Sequence, residues 1–281
     1  MSETPSNKVV EESDAVAEGS ALAMHGLLDA PGQAPKNGDP LPPLWHWLAF
    51  LPRIPQHEIG PDGHPIVNDF FDSQAYPRRM FAGGRISWPG TAHVGEQLTR
   101  RSRIANVVTK EGRSGPLLFL TVENEIYERG DLVIREEQDL VYRAASGASP
   151  TAPSSDVDAD EETWTWSLPV TIDPVSLFRF SALTYNAHRI HYDRAYATQT
   201  EGYPGLVVHG PFQAISLAEV CRRFQPESSL ASFAFRAQKP AFEGAPLRFR
   251  GRREGDEIEL AALDGTGHVT VSASATLVPT A

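Results

Sequence analysis

The sequence predicts an α+β protein made of two similar halves, each an antiparallel sheet around one apolar helix. Three observations carry this expectation. In the second half, one helical stretch is followed by four β-branched and apolar runs separated by Gly-containing turns. In the first half, 98–142 holds three runs of the same kind. Between them, 144–163 breaks every periodicity with Ala, Ser, Pro and acidic residues, as a linker does. At 281 residues the chain can hold one large domain or two small ones, with enough apolar residues for a core.

Taken in order, residues 1–20 are acidic and poor in large apolar groups, so they read as a disordered tail. The first half is expected over 21–143 and the second over 164–281. Ala21–Asp29 reads as a short helix before the Pro-rich 31–43, and the aromatics of Leu44-Trp-His-Trp-Leu-Ala-Phe50 need burial. A weaker pattern over Asp72–Ala82 is the candidate for the first half's central helix. Val107/Val108, Leu117–Val122 and Leu132–Ile134 mark three strands, with turns at Lys110–Gly115 and Glu128–Asp131. Phe212–Phe224 is apolar on most sides in its first turns, as a helix wrapped by a sheet must be. Strands follow at Ser232–Lys239, Leu247–Arg253, Glu257–Leu263 and Val269–Leu277.

The net charge of −11 is unevenly placed. Residues 1–40 carry seven acids against two bases, and 144–163 carries five acids and no base. The remainder is nearly neutral and rich in Arg, so the folded parts can attract a polyanionic small molecule. No basic cluster with interleaved aromatics suggests nucleic acid. No apolar run approaches the roughly 20 residues that span a bilayer, and the first residues have neither a secretory nor an organellar presequence pattern. The single cysteine, Cys221, excludes an intrachain disulfide and fits a reducing compartment, so a cytoplasmic location is expected.

The informative stretch is Phe178 to Asp193, followed by Glu201 to Pro211. It sets an amide, Asn186, and an imidazole, His191, in a polar segment that leads through a Gly/Pro loop into an apolar helix. Hydration next to a thioester carbonyl needs donors for the developing enolate, a base for water and a proton for the α-carbon. Backbone amides at the helix start near Gly210 suit the first need, with Pro211 pre-set for the first helical turn. His191 suits the second, since its titration lies nearest neutrality. Asn186 can orient water or carbonyl but an amide is no base. His188, Arg189, Val208 and His209 lie close enough in sequence to touch a substrate. His188 with His191 lacks a convincingly spaced third ligand, so no metal is expected. Asp193 reads as the N-cap of a short helix.

Phe180-Ser-Ala-Leu-Thr-Tyr-Asn-Ala-His-Arg-Ile-His191 resembles the hydratase signature of the MaoC-like dehydratases, and Gly205-Leu-Val-Val-His-Gly210 resembles the entry to that family's central helix. The likeness is nearer to the subgroup of mesaconyl-CoA and itaconyl-CoA hydratases and fungal mitochondrial 3-hydroxyacyl-thioester dehydratases. Pro42-Pro-Leu-Trp-His-Trp47, Met80-Phe-Ala-Gly-Gly-Arg-Ile86 and Glu137-Gln-Asp-Leu-Val-Tyr-Arg143 extend it into the first half.

This resemblance implies a tandem (double) hot-dog fold, the first domain degenerate and helping to hold coenzyme A, the second catalytic. It implies a hydro-lyase on an α,β-unsaturated acyl-CoA, with no cofactor, and a homodimer as the expected association. The family's aspartate is Asn186 here, so His191 is left to carry proton transfer, with Glu137 and Asp139 as strand-borne carboxylates to consider. A second carboxylate on the acyl group, as in mesaconyl or itaconyl thioesters, needs a cation, for which Arg85, Arg143, Arg189 and Arg236 are candidates. A non-catalytic acyl-thioester binding module and a thioesterase stay open as other readings of the same residues.

Overall fold

Ten strands hydrogen-bond into one antiparallel sheet in a computed structural model that describes residues 8–66, 78–112, 115–143 and 164–279. The expected linker, 144–163, lies outside the described residues. In chain order the elements are β1 (Val9–Asp14), α1 (Glu18–Leu27), β2 (Arg78–Ser87), β3 (Leu98–Gly112), β4 (Gly115–Glu128) and β5 (Asp131–Arg143). The second half supplies β6 (Trp166–Thr171), α2 (Pro174–Leu183), α3 (Gly210–Phe224), β7 (Ser228–Ala237), β8 (Pro246–Glu254), β9 (Glu257–Leu263) and β10 (Val269–Pro279). The strand order is β1-β3-β4-β5-β2-β7-β10-β9-β8-β6.

The expected strands of both halves form, and local chemistry explains their joints. β4 and β5 turn through Arg129 and Gly130, both at positive φ (52° and 93°), the conformation whose twist matches a tight hairpin. α2 starts on a reciprocal cap: Asp173 Oδ1 accepts the Ser176 N–H at 2.8 Å while Ser176 Oγ accepts the Asp173 N–H at 3.0 Å. α3 is buried from Phe212 to Cys221, packed among Phe233, Phe249, Leu260 and Val271 of the surrounding strands. Its one buried acid, Glu219, is matched by Arg222 at 2.7 Å and Arg223 at 2.8 Å. Arg223 also donates to the carbonyls of Leu28 and Asp29, fastening the end of α1.

Three expectations are corrected. Residues 9–14 are not a disordered tail: they form β1, an edge strand on β3, with Glu11 on Arg101 and Glu12 on Arg100. The acids that signalled disorder are cross-strand partners of a basic strand edge. The first-half helix is not formed over 78–82, which belong to β2, and 72–77 lie outside the described residues. Pairing with β5 makes residues 78–82 strand, and Gly83 lets β7 approach on the other side, since a Cβ there would sit 2.4 Å from the Phe235 carbonyl. Finally, the two sheets are continuous. β2 pairs with β5 on one side and with β7 on the other, Gly83 opposite Arg236 through Ser87 opposite Ser232. Among the described residues no helix is long and apolar enough to cross a membrane.

Candidate active site

The site begins where α2 runs out. Tyr185 takes a left-handed conformation (φ 50°), which swings the chain into the Asn186–Asp193 segment. Asn186 Oδ1 accepts the His188 N–H at 3.0 Å, so the amide oxygen is committed to holding the turn and its Nδ2 hydrogens are what it can offer a ligand. One helical turn at Arg189–His191 then buries His191. Its Nδ1 lies 2.8 Å from the Val207 carbonyl, which can only accept, so Nδ1 carries the proton and Nε2 keeps its lone pair. The expected cap at Asp193 is present, with Oδ1 accepting the Tyr196 N–H at 3.0 Å.

Val207 and its neighbours tie this segment to the start of α3. Val207 N–H donates to Ile190 O and Val208 N–H to Ala241 O, and Val207 forms an isolated antiparallel bridge with Phe242, so the buried Val208 has its amide already used. His209 precedes α3 and stacks on His191, centroids 3.6 Å apart and planes 19° apart. Its Nε2 meets Ser181 Oγ of α2 at 2.9 Å, while its buried Nδ1 has no partner. Gly210 follows, with a hypothetical Cβ at ordinary contact distance, 3.7 Å, from Phe81. The first-turn amides of α3 thus follow directly on His209, the residue whose ring stacks on His191.

Burial sets the charge state of these imidazoles. It pulls His191 down to about 4, with the Val207 carbonyl opposing and the nearby His64 adding to the shift. His188 is lowered much further by burial, then by His64, His191 and Arg79. His209 falls well below the usual range by burial and by its two neighbours. All three are neutral at pH 7, so His191 presents a base and none of the three stores an acid.

Other residues foreseen for the site already have partners or face outward. Arg85 is on the solvent face of β2, beside buried Ile86, and binds Asp139 at 2.7 Å and Glu137 at 2.6 Å. Arg85, Glu137 and Asp139 thus satisfy one another. Arg236 alternates with buried Phe235 and shares that outer face. Arg189 is also spent: it pairs with Asp193 at 2.7 Å, donates to Pro61 O at 2.9 Å and lies 4.2 Å over the Tyr196 ring.

Sequence reasoning missed the loop that Arg189 grips. Asp62 and His64 arrive from the first half, with the His64 ring 4.0 Å from His188. Ligand atoms of Asp62, His64 and His188 lie within 4.8 Å of one another, so a third group does stand near His188, contrary to the expected spacing. Gly60-Pro-Asp-Gly-His64 is a strong turn string carrying a titratable residue, and that was the available signal.

A sheet wrapped on one buried helix, with His209 at that helix's N-terminus, gives the protein the arrangement of a hot-dog fold. Its fold matches HtdX of Mycobacterium tuberculosis at TM-score 0.69 and 16% identity, over 97% of this chain and 100% of that one. It also matches a second Mycobacterium tuberculosis protein described as a double hot-dog fold, at TM-score 0.55 and 15% identity over 96% of each chain. The chain belongs to the hydroxyacyl-thioester dehydratase type 2 family, whose model matches residues 44–243. It is 45% identical over 264 residues to mesaconyl-C(4)-CoA hydratase of Chloroflexus aurantiacus, covering 94% of this chain and 93% of that relative.

Proposed function

We propose that this hydro-lyase adds water to the double bond of a mesaconyl-CoA-type thioester, an enoyl-CoA whose acyl chain ends in a free carboxylate. The observation that carries this is the 45% identity to mesaconyl-C(4)-CoA hydratase over nearly the full length of both chains. The site is compatible with it. His191 Nε2 takes a proton from water as oxygen attacks the β-carbon, and the first-turn amides near Gly210 receive the enolate oxygen. Asn186 Nδ2 orients the thioester carbonyl, and His188 and His209 hold the His191 ring. Arg79, close enough to bear on His188, is the cation proposed for the acyl carboxylate.

One observation favours a second reading, a straight-chain enoyl thioester. Arg85, Arg189 and Arg236, three of the cations foreseen for a second carboxylate, are paired elsewhere or on the outer face. Crotonyl-, mesaconyl- and itaconyl-CoA, followed by enoyl absorbance and by free thiol, decide between them. We expect absorbance loss without thiol release, fastest with mesaconyl-CoA. His191→Ala should cut turnover by about 10³-fold, within the usual range for a lost acid–base group, with CoA thioester affinity retained. Thiol release would mean a thioesterase, and silence a binding module. A cytoplasmic location and a homodimer belong to the same proposal; Val175 and Phe178, each 63% exposed on α2, offer apolar surface for the latter.

A further inference from the structure

We propose, building on the hydratase reading above, that His64, oriented by Asp62, is the site's second proton-transfer group, carried in from the first half of the chain. Asn186 leaves the catalytic segment one acid–base group short, and one ring nitrogen each of His191 and His209 is already bound, to the Val207 carbonyl and the Ser181 hydroxyl. His64 is different. It is about one-fifth exposed, 22%, at the edge of the cluster, where a substrate can reach it.

The loop that bears it is built for delivery. Gly60 N–H donates to His64 O at 2.7 Å, Gly63 N–H to Gly60 O at 3.0 Å, and Ile66 N–H to Glu58 O at 2.8 Å, closing a tight turn. Asp62 O accepts the Arg189 N–H at 2.9 Å, and Pro61 O accepts Arg189 Nη1 at the same distance, so the turn is fastened to the His188–His191 segment itself. Gly63, at φ 93°, packs so closely that a Cβ would fall 1.8 Å from Ala187 O. A contact that only glycine permits holds the loop onto the site.

Asp62 sets the ring. Its Oδ1 accepts the His64 backbone N–H at 3.0 Å, and its Oδ2 lies 3.0 Å from His64 Nδ1. A carboxylate accepts, so Nδ1 carries the proton and Nε2 is the exchanging nitrogen. Burial opposes ionisation of Asp62, but its bonds to His64 prevail and hold the carboxyl below its ordinary range. His188 separates the rings of His64 and His191, 4.0 Å from the first and edge-on at 5.4 Å from the second. The charged and titratable groups around His64 are Asp62 on its own loop, His188 and Arg189 on the facing segment, Tyr196 beside Asp62 and Arg79 from β2.

In the hydration direction, a water lone pair forms the C–O bond at the β-carbon and His191 Nε2 takes the water proton. The C=C π pair becomes the new C–H bond at the α-carbon by taking the proton from His64 Nε2, a step that requires the doubly protonated ring beside the Asp62 carboxylate. His191 then loses a proton to solvent and His64 regains one, so the sum is addition of one water. Dehydration runs the same steps backwards. Asp62 is a positioning residue in this scheme. Both its oxygens already serve His64, which is why proton transfer is preferred here to metal ligation by Asp62, His64 and His188.

The test compares wild type, His64→Gln and Asp62→Asn on the thioester panel across pH, with and without EDTA. For His64→Gln we expect kcat to fall about 10²-fold or more, KM to stay within threefold, and one limb of the kcat/KM profile to vanish. Asp62→Asn should lose about 10-fold and shift the same limb. Should His64→Gln fail to fold by circular dichroism, the Asp62→Asn profile decides. Variants with wild-type kcat and an unchanged profile overturn the role of His64. So does activity that EDTA abolishes and Zn²⁺ restores, which reassigns the cluster to a metal. A wild type silent on every thioester refutes the hydratase reading itself, a result distinct from an active wild type with insensitive variants.

Discussion

On the inner face of the first half the sheet buries an ionised carboxylate, whereas the layer around α3 in the second half buries imidazoles that stay neutral. Glu136 of β5 accepts from Trp47 Nε1 at 2.6 Å and Asn124 Nδ2 at 2.9 Å, and faces His46 Nε2 at 3.6 Å. Ser102 completes the set by donating to Asn124 Oδ1 at 2.7 Å. Burial alone would raise the Glu136 carboxyl, yet His46 above all, with Gln138 and Trp47, holds it at about 2. Among the described residues no such acid acts on His191, and burial prevails. The difference is one of valence. The first half commits Glu136, Trp47, Asn124 and Ser102 to one another, which stabilises and specifies the fold. The second leaves the His191 Nε2 lone pair and the His209 Nδ1 uncommitted, which is what a reactive site requires.

The contrast can be broken most forcefully at Glu136. Glu136→Ala strands Trp47, Asn124 and His46 in the interior and is expected to cost about 3–5 kcal/mol, as loss of one partner from a buried pair does. Urea unfolding measures it, with turnover per folded molecule preserved; a loss below 1 kcal/mol would show that the network is dispensable.

Acid should then resolve the two halves. His191 sits at about 4 against an ordinary 6.5, so between those values the unfolded chain binds the extra proton and stability falls as pH drops. By pH 5 that amounts to about 2 kcal/mol from His191 alone. Glu136 sits at about 2 against 4.5, so its stabilisation is intact above pH 4.5 and is lost as pH falls through about 2. Melting temperatures across pH should show the higher window flattened by His191→Gln and the lower one by Glu136→Gln. Equal stability at pH 7 and 5 in the wild type would contradict the neutral imidazole cluster.

The smallest effect is expected on the outer face. Arg85→Ala removes a half-exposed ion-pair group and should cost about 1 kcal/mol or less, with kcat/KM for crotonyl- and mesaconyl-CoA within twofold. A selective rise in KM for mesaconyl-CoA would return Arg85 to the substrate site.

Much of this was legible where local pattern and final environment agree. α3 and β7 to β10 follow from an apolar helix and Gly-punctuated alternation. Asn186, His191 and Gly210 could be picked out because the elements that unite them are close in sequence. β1 was missed because Glu11 and Glu12 resemble solvated charge until Arg100 and Arg101 are placed across from them. β2 was read partly as helix because its pairing with β5 and β7 leaves no period in the sequence itself. Arg85, Arg189 and Arg236 carry the right charge for a substrate carboxylate, but only geometry reveals what already neutralises a cation or which face it occupies.

By itself, then, the sequence determined the class of fold, the family resemblance and the residues of the second-half segment, since periodicity and turn chemistry are local properties. Tertiary structure alone decided that the halves share one sheet, that burial leaves His191, His188 and His209 neutral, and that Asp62 and His64 meet His188 across more than a hundred residues of chain. Those facts depend on solvent exclusion and on contacts between distant segments. Neither is encoded in the spacing of residues along the chain.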